Sequence, residues 1–420
     1  MNARYHVASH LLLFAVVSPL SADDGWPQWR GPTRDARSAG DPWPNALSAD
    51  RLQQSWRVEL GPSYSGPIVT SDRVFVTETK DRKTEVVRAL HRQTGKELWR
   101  AEWAGALSVP FFAKANGDWI RSTPAFDGER LYVAGIRDLL ICLDAKSGKE
   151  LWKVDFVQQF GTPLPAFGCV CSPLIDDKFV YVQAGASVAK LDKLTGKVLW
   201  QALKDGGGTY GSAFSSPVIA ALHGVRQLVV QSRTKLAGVH LEDGKVLWSA
   251  SIPAFRGMNI LTPTVIENRI FTSSYGGGAF LFEVEKSGTE FSLKEMWKNK
   301  VQGYMSSPVV IDHHVYLHLR NQRFACIDLK TGKEAWITTP FGKYWSMVVR
   351  NGRILALDER GDLLLINATP EKFDLLDKRH VSDRPTWAHL AVVGDELFIR
   401  ELNAQTVYMW KGKKQTAARK

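Results

Sequence analysis

The chain has only four cysteines and six methionines in 420 residues, and no apolar run long enough to cross a bilayer. Four thiols in a chain of this size are too few for a disulfide framework, so the fold must be held by packing. A polytopic helical membrane protein is excluded, because each span needs about 20 consecutive apolar residues. Hydrophobic residues at 44% and charged ones at 23% exclude a disordered chain. No phosphate loop, HExxH pattern or nucleophile motif is present, which leaves the common hydrolase and nucleotide chemistries without support. The formal net charge is +11, but 411–420 carries five positive charges and no acid. Without that segment and Arg4, about +5 is spread over the rest, too thin for nucleic-acid binding. Residues 411–420 read as a solvated basic tail.

At the other end, Arg4 precedes an apolar run over 11–17 and then Ser18, Pro19, Leu20, Ser21 and Ala22. That layout predicts a signal peptide over 1–22 and an exported, soluble protein, periplasmic or secreted. The first cysteine is Cys142, so no lipid-acceptor thiol follows the apolar run. Cys142 and Cys326 precede Leu143-Asp144 and Ile327-Asp328, matching positions that suit small buried side chains. Cys169 and Cys171, spaced i and i+2, would share one face of a strand, which permits a strained disulfide, a metal contribution or two free thiols.

What the chain has in excess is tryptophan, with 15 copies. Seven of them, Trp56, Trp99, Trp152, Trp200, Trp248, Trp297 and Trp336, recur at spacings of 43, 53, 48, 48, 49 and 39. Five follow near-identical text, as in Thr94-Gly95-Lys96-Glu97-Leu98 and Thr195-Gly196-Lys197-Val198-Leu199. Each unit also opens alike, as at Ser122-Thr123-Pro124, Ser172-Pro173 and Ser307-Pro308. A short apolar strand follows, then an Asp/Asn-Gly turn, a second strand such as Val180-Tyr181-Val182, and a third ending in Leu-Asp. Four short antiparallel strands every 40–50 residues are the pattern of a β-propeller blade. In the Asp-x-x-Thr-Gly turn the aspartate caps and the glycine supplies positive φ. The tryptophan closes the outer strand, where its ring can pack in the seam against the next blade and its N–H can meet a carbonyl.

Six complete units end at Trp99 through Trp336, and a degenerate one runs from Met347 to about Leu375. Leu390 to Trp410 supply three more strands, and Leu52 to Leu60 a lone fourth. Pairing these termini gives an all-β, eight-bladed propeller over 23–410 and leaves no open sheet edge.

The run Leu-Asp-x-x-Thr-Gly-Lys-x-Leu-Trp resembles the tryptophan-docking repeat of the pyrroloquinoline-quinone (PQQ) dehydrogenase superfamily. That group includes PQQ-dependent alcohol dehydrogenases and the non-enzymatic BamB scaffold proteins of the outer membrane. The opening Trp26-Pro27-Gln28-Trp29-Arg30-Gly31-Pro32 is similar to that of exported PQQ-like repeat proteins. The resemblance implies either a scaffold or a quinoprotein oxidoreductase that binds PQQ with calcium, a catalytic aspartate and a disulfide between adjacent cysteines. Cys169-Val170-Cys171 is not adjacent, and the blade starts carry Arg121, Tyr210, Asn259, Tyr304, Tyr344 and Trp387 instead of acids. The expectation is therefore a non-catalytic, BamB-like binding protein of the cell envelope, with a PQQ-dependent alcohol or aldehyde dehydrogenase and a carbohydrate or envelope-ligand binder as alternatives. No cofactor is assigned, and no metal; a monomer is expected.

The longest connections lie over 100–121, 153–170, 201–214 and 251–261, all on the face around one mouth of the axial channel. They are aromatic, with Trp103, Phe111, Phe112, Trp119, Phe160, Phe167, Tyr210, Phe214 and Phe255. Either the loops pack on one another or they form a recognition surface for an envelope protein or a small ligand. The candidate face comprises Trp103, Phe112, Trp119, Arg121, Tyr210, Asn259, Tyr304, Tyr344, Trp345 and Trp387. Arg121, Arg137, Arg233, Arg256, Arg320, Arg360 and Arg400 recur on the same face, beside Asp138, Glu359, Asp362 and Glu401, and read as a mixed-charge rim before an anion site. His314, Tyr316 and His318 share a strand face and read as buried residues before metal ligands.

Overall fold

The computed structural model describes residues 25–207 and 214–411. The predicted signal peptide, Tyr210 and nearly all of the basic tail lie outside the described residues.

Eight four-stranded antiparallel sheets form the ring expected from the repeat. Blade 1 comprises Ile68–Val69, Arg73–Lys80, Thr84–His91 and Glu97–Ala104, and blades 2 to 7 follow in chain order. Blade 8 joins Ala391–Val393, Glu396–Glu401 and Ala404–Trp410 to the N-terminal strand Leu52–Glu59. The two ends pair from Leu52↔Trp410 to Glu59↔Ala404, which closes the ring. The degenerate seventh blade ends in Asp374–His380, a little beyond the reading from sequence. Inner and middle strands carry the core, and outer strands such as Glu97–Ala104 alternate between half-buried and exposed.

Six of the seven repeat tryptophans dock as expected. The indole N–H groups of Trp56, Trp99, Trp152, Trp200, Trp297 and Trp336 donate to carbonyls of the next blade at 2.7–3.1 Å. The turn glycine of that next blade has a second duty. Gly95, Gly148, Gly196, Gly244 and Gly332 have φ of 70–75°, and a Cβ on any of them would lie 2.5–2.8 Å from the indole of the blade before. The glycine both reverses the chain and lets the indole lie flat on the backbone.

Trp248 departs from this rule. Its N–H donates at 2.7 Å to Gln227 Oε1 in its own blade, and a Cβ on Gly238 would fall 2.2 Å from its ring. The reason lies in blade 5, whose third and fourth strands form a ten-residue hairpin, Gly278–Ser287 with Glu290–Asn299, and lack the Asp-x-x-Thr-Gly turn. With no flat glycine to cover, Trp248 turns inward and packs with Phe280, Phe282 and Val284 of that hairpin.

The seam at the degenerate blade 7 is filled from outside the repeat. Trp43 stacks on Trp410 at 5.9 Å and lies under the Arg350 guanidinium at 5.0 Å. Its chain is tied to blade 7 through Leu47 N–H on Asp377 and Arg379 on the Leu47 carbonyl.

All four cysteines are free and buried. Cys169 and Cys171 lie in the approach to the strand Leu174–Asp176, not on a strand, and burial pushes the Cys171 thiol up to about 12. Of the strand trio, Tyr316 and His318 are buried. His318 stacks on Trp345 at 5.0 Å, and burial pulls its pKa down to about 4. His314 sits at the other end of the strand near Asp328. Among the described residues no group of three or more His, Cys, Asp or Glu could hold a metal ion.

Candidate functional site

The axial channel is lined by the starts of the inner strands, where a hydroxyl ties neighbouring blades together at four seams. Gly66 N–H donates to Thr123 Oγ1, Thr123 N–H to Ser172 Oγ and Ser172 N–H to Ser216 Oγ, at 2.9–3.0 Å. Thr262 N–H donates to Ser307 Oγ at 3.0 Å. These backbone donors face a lumen and would otherwise lose a partner, so the serine or threonine before the repeat proline is a ring fastener.

One mouth is sealed by residues 25–38. Trp26 bridges to Val69 of blade 1, and the Pro27 carbonyl accepts from Phe126 of blade 2. Arg34 donates to the Ser172 and Pro173 carbonyls of blade 3 at 3.2 and 2.9 Å, while Arg30 reaches the Pro308 carbonyl of blade 6. Val349 of blade 7 exchanges backbone bonds with Ala36 and Ser38. Trp29 projects into the channel, where its N–H donates to Thr262 Oγ1 at 3.0 Å and its ring meets His389 edge-on at 5.0 Å. Burial lowers the pKa of Arg34 to about 9 and of His389 to about 3, so near neutral pH the arginine is charged and the histidine neutral. The tryptophans at 26 and 29, outside the docking repeat, are thus a plug.

Above Trp29 the channel is a blind cavity of about 120 Å³. Tyr64, Arg121, Val170, Phe214, Ile260 and Met305 line it, one from each of blades 1 to 6, and each stands three residues before its repeat proline. That register is the signal the sequence offered. Of the blade-start residues read from sequence, Arg121 and Trp387 line the cavity; the lumen side chains of blades 5 and 6 are Ile260 and Met305 in place of Asn259 and Tyr304, and blade 4 contributes Phe214. Trp345, Met347, Trp387 and His389 complete the wall from blades 7 and 8.

Around the open mouth the aromatics form a nearly continuous belt. Tyr64 meets Trp387 at 4.4 Å, Trp387 stacks on Tyr344 at 3.8 Å, and Tyr344 meets Tyr304 at 6.0 Å. The belt continues through Tyr275 to Phe255 at 5.3 and 5.0 Å. Arg256 then bridges Phe255 and Phe112, with its guanidinium 5.1 and 5.6 Å from the two rings. Phe112, Phe167 and Phe214 finish the circuit at 6.3 and 5.9 Å. Phe111 is 83% exposed, Phe112 50% and Phe255 45%, so this part of the belt presents its rings to solvent.

The structure thus brings Arg121, Phe112, Tyr304, Tyr344, Trp345 and Trp387 together at the mouth or in the cavity. It places Asn259 and Trp103 elsewhere, and Trp119 behind the mouth beside Tyr64. Asn259 is buried, and its side-chain amide donates to the Ser232 and Arg233 carbonyls at 3.1 and 3.0 Å. Trp103 donates at 2.8 Å to Glu85 Oε2, whose other oxygen accepts from Ile136 N–H at 2.8 Å. Glu85 is fully buried, and burial pushes its pKa up to about 8. The three groups latch blade 1 to blade 2, which composition alone did not reveal. Trp119 packs against Gly117 at the base of the Phe111 loop, where its indole nitrogen would be 2.1 Å from an added Cβ.

The arginines of this face are mostly engaged in the fold. Arg400 is buried among the Gly61, Thr77 and Ala404 carbonyls, Arg233 pairs with Asp205 at 3.5 Å, and Arg320 covers Tyr275 at 4.2 Å. Arg137 donates to the Ala106 carbonyl and Arg360 to that of Phe341.

A calcium-bound quinone does not fit the cavity. Calcium takes six to eight oxygen ligands, with carboxylates prominent, and none of the lining residues is Asp or Glu. The aromatic walls leave hydroxyls and one cation, a donor set without an anionic ligand.

Among known proteins, the chain is 22% identical over 394 residues to the outer membrane protein assembly factor BamB of Moranella endobia, covering 87% of this chain and 92% of that protein. It is 26% identical over 282 residues to a polyvinylalcohol dehydrogenase of Pseudomonas sp, covering 54% of this chain and 40% of the enzyme. In solved structures, BamB from Moraxella catarrhalis superposes with a TM-score of 0.63 at 15% identity, over 87% of this chain and 99% of that one. A quinohemoprotein alcohol dehydrogenase from Comamonas testosteroni gives 0.66 at 14% identity, over 94% and 82%. These two likenesses establish the fold. The family profile described as outer membrane protein assembly factor BamB matches residues 82–338, more than half of the chain, and the protein accordingly belongs to that family.

Proposed function

We propose that this protein is a non-catalytic scaffold of the cell envelope, exported and BamB-like, which holds an envelope protein against the aromatic mouth of its propeller. The observation that carries this reading is the exposure of Phe111, Phe112 and Phe255 on the loops of two blade connections that converge on one face. Solvent-facing aromatic rings beside an arginine are the side chains that supply most of the energy at protein interfaces. Family membership supports the same reading. The dehydrogenase relatives support an oxidoreductase less well, because the cavity offers no carboxylate to a metal. Among the described residues no helix is long and apolar enough to cross a membrane. In this proposal the scaffold works from the aqueous side and as a monomer.

A photo-crosslinking residue at Phe112, used in cells, tests the proposal. The expected adduct contains an outer-membrane assembly protein identified by mass spectrometry, and it disappears in a Phe111→Ser/Phe255→Ser background that still folds. Dye-linked oxidation of an alcohol or aldehyde by the purified protein with PQQ and calcium would instead establish the oxidoreductase.

A further inference from the structure

The scaffold reading uses the rim of the channel and leaves the cavity beneath it without a role. Among the described residues Arg121 is the only side chain lining that cavity with a permanent charge, because burial keeps His389 neutral and no lining residue is an acid. Among the described residues the guanidinium makes one hydrogen bond, from Nη2 to the Gly117 carbonyl, and no salt bridge, and its buried Nε has no partner. The Tyr64 ring lies 5.9 Å away, and Asp118 is the acid that acts on it; both oppose the lowering of its pKa by burial. The stretch 208–213, adjoining the lining residue Phe214, contains no acid. A guanidinium withdrawn from water without a counter-ion costs several kcal/mol in general. Such an arrangement persists where an anion completes it.

The rest of the cavity limits what the anion is. Trp29 closes the floor, so nothing passes through, and the volume of about 120 Å³ is below the ~150 Å³ of an enclosed apolar cavity that takes up benzene, so a ligand of at most one ring fits, and only with part of it projecting into the open mouth. The walls are flat and apolar at Tyr64, Phe214, Trp345 and Trp387. Ser172, Ser307 and Ser346 already accept backbone N–H groups through their hydroxyl oxygens, and these hydroxyls donate to no described residue, so their hydrogens are left for the lumen. From these features we propose that the blind cavity is a binding site for a benzoate-sized aromatic monocarboxylate, metal-free, whose carboxylate meets Arg121 and whose ring lies between the indoles. A tricarboxylate quinone with its calcium ion is too large and carries charges that one guanidinium cannot balance. The site does not depend on the scaffold reading, since it lies below the proposed partner surface.

Calorimetric titration of the purified full chain with benzoate, benzamide and inorganic phosphate tests it. The expected result is saturable one-to-one binding of benzoate, with benzamide and phosphate each at least tenfold weaker. Arg121→Gln should abolish the preference for benzoate over benzamide while leaving the unliganded protein as stable as before or more so, because it removes a buried unpaired cation. Met305→Trp, which fills the cavity and keeps Arg121, should block both ligands, and it guards against an Arg121 variant that fails to fold. Equal binding of benzoate and benzamide, no binding of either, tighter binding of phosphate, or tighter binding of PQQ with calcium would each overturn the proposal. None of these outcomes bears on crosslinking at Phe112.

Discussion

The pairing of an indole with a glycine in the next blade makes a prediction that separates it from ordinary core packing. At the seam between blades 2 and 3, Trp152 donates to the Lys193 carbonyl at 3.1 Å and covers Gly196, whose φ is 72°. Trp152→Ala removes a partly buried indole and one hydrogen bond, and should cost about 3 kcal/mol. Gly196→Ala places a Cβ 2.6 Å from the Trp152 ring. The left-handed backbone costs alanine roughly 1–2 kcal/mol, and forcing the overlap adds about 1–3 more. In the double variant the overlap no longer exists, and only the backbone term is added to the loss of the indole. The pair should therefore be less destabilised than the sum of the singles by at least about 1 kcal/mol. Urea denaturation of all four proteins, followed by tryptophan-independent far-UV ellipticity, gives the cycle. Additivity within about 0.5 kcal/mol would refute the idea that the glycine is kept small for the tryptophan.

Other consequences are equally direct. Trp248→Ala should destabilise by about 3–5 kcal/mol, but a cycle with a turn residue of blade 5 should show no coupling, since Trp248 bonds within its own blade; coupling comparable to that at Trp152 would contradict the assignment. The pKa of Glu85 is raised to about 8 in the fold. Above about pH 4.5 the unfolded chain ionises there while the native state stays neutral, so stability should fall from that pH until about 8. Glu85→Gln should flatten this slope and gain relative to wild type toward pH 8; an unchanged slope in denaturation midpoints measured from pH 4.5 to 8 would refute it. Arg34→Met should destabilise by about 2–4 kcal/mol by stranding the Ser172 and Pro173 carbonyls and loosening the plug, and an unchanged urea midpoint would show the plug to be passive. The four buried thiols should resist an aromatic disulfide reagent at pH 8 in the native protein and all react in denaturant; prompt reaction of Cys169 or Cys171 would contradict their burial.

The fold was legible because the blade repeat is local. Strand, turn, capping aspartate, reversing glycine and closing tryptophan lie within one stretch of chain, and each follows from backbone geometry or amphipathic pattern. Ring closure was legible too, since three strands at one end and one at the other leave a single way to remove the edge. The lumen was only half visible. Arg121 was found by its blade-start position, but Tyr64, Met305 and Ile260 were missed, because side chains three residues before a proline differ in type from blade to blade and only their shared register unites them. Asn259 is polar and next to a lumen residue, but its side chain turns the other way, into backbone carbonyls.

The sequence by itself determined the architecture: eight blades, the sharing of the last between the two ends, and the seams held by indoles on glycines. Tertiary structure alone decided what the channel is. Residues 25–38 bond to six blades, with partners as far away as 312 positions, and meet an eighth-blade residue, His389, through ring contacts; no local pattern specifies that Trp29 will become a floor. The aromatic belt and the lone guanidinium arise likewise from loops that meet only when the ring has closed. A repeat encodes contacts between neighbours, whereas a cavity on the axis belongs to all eight blades at once.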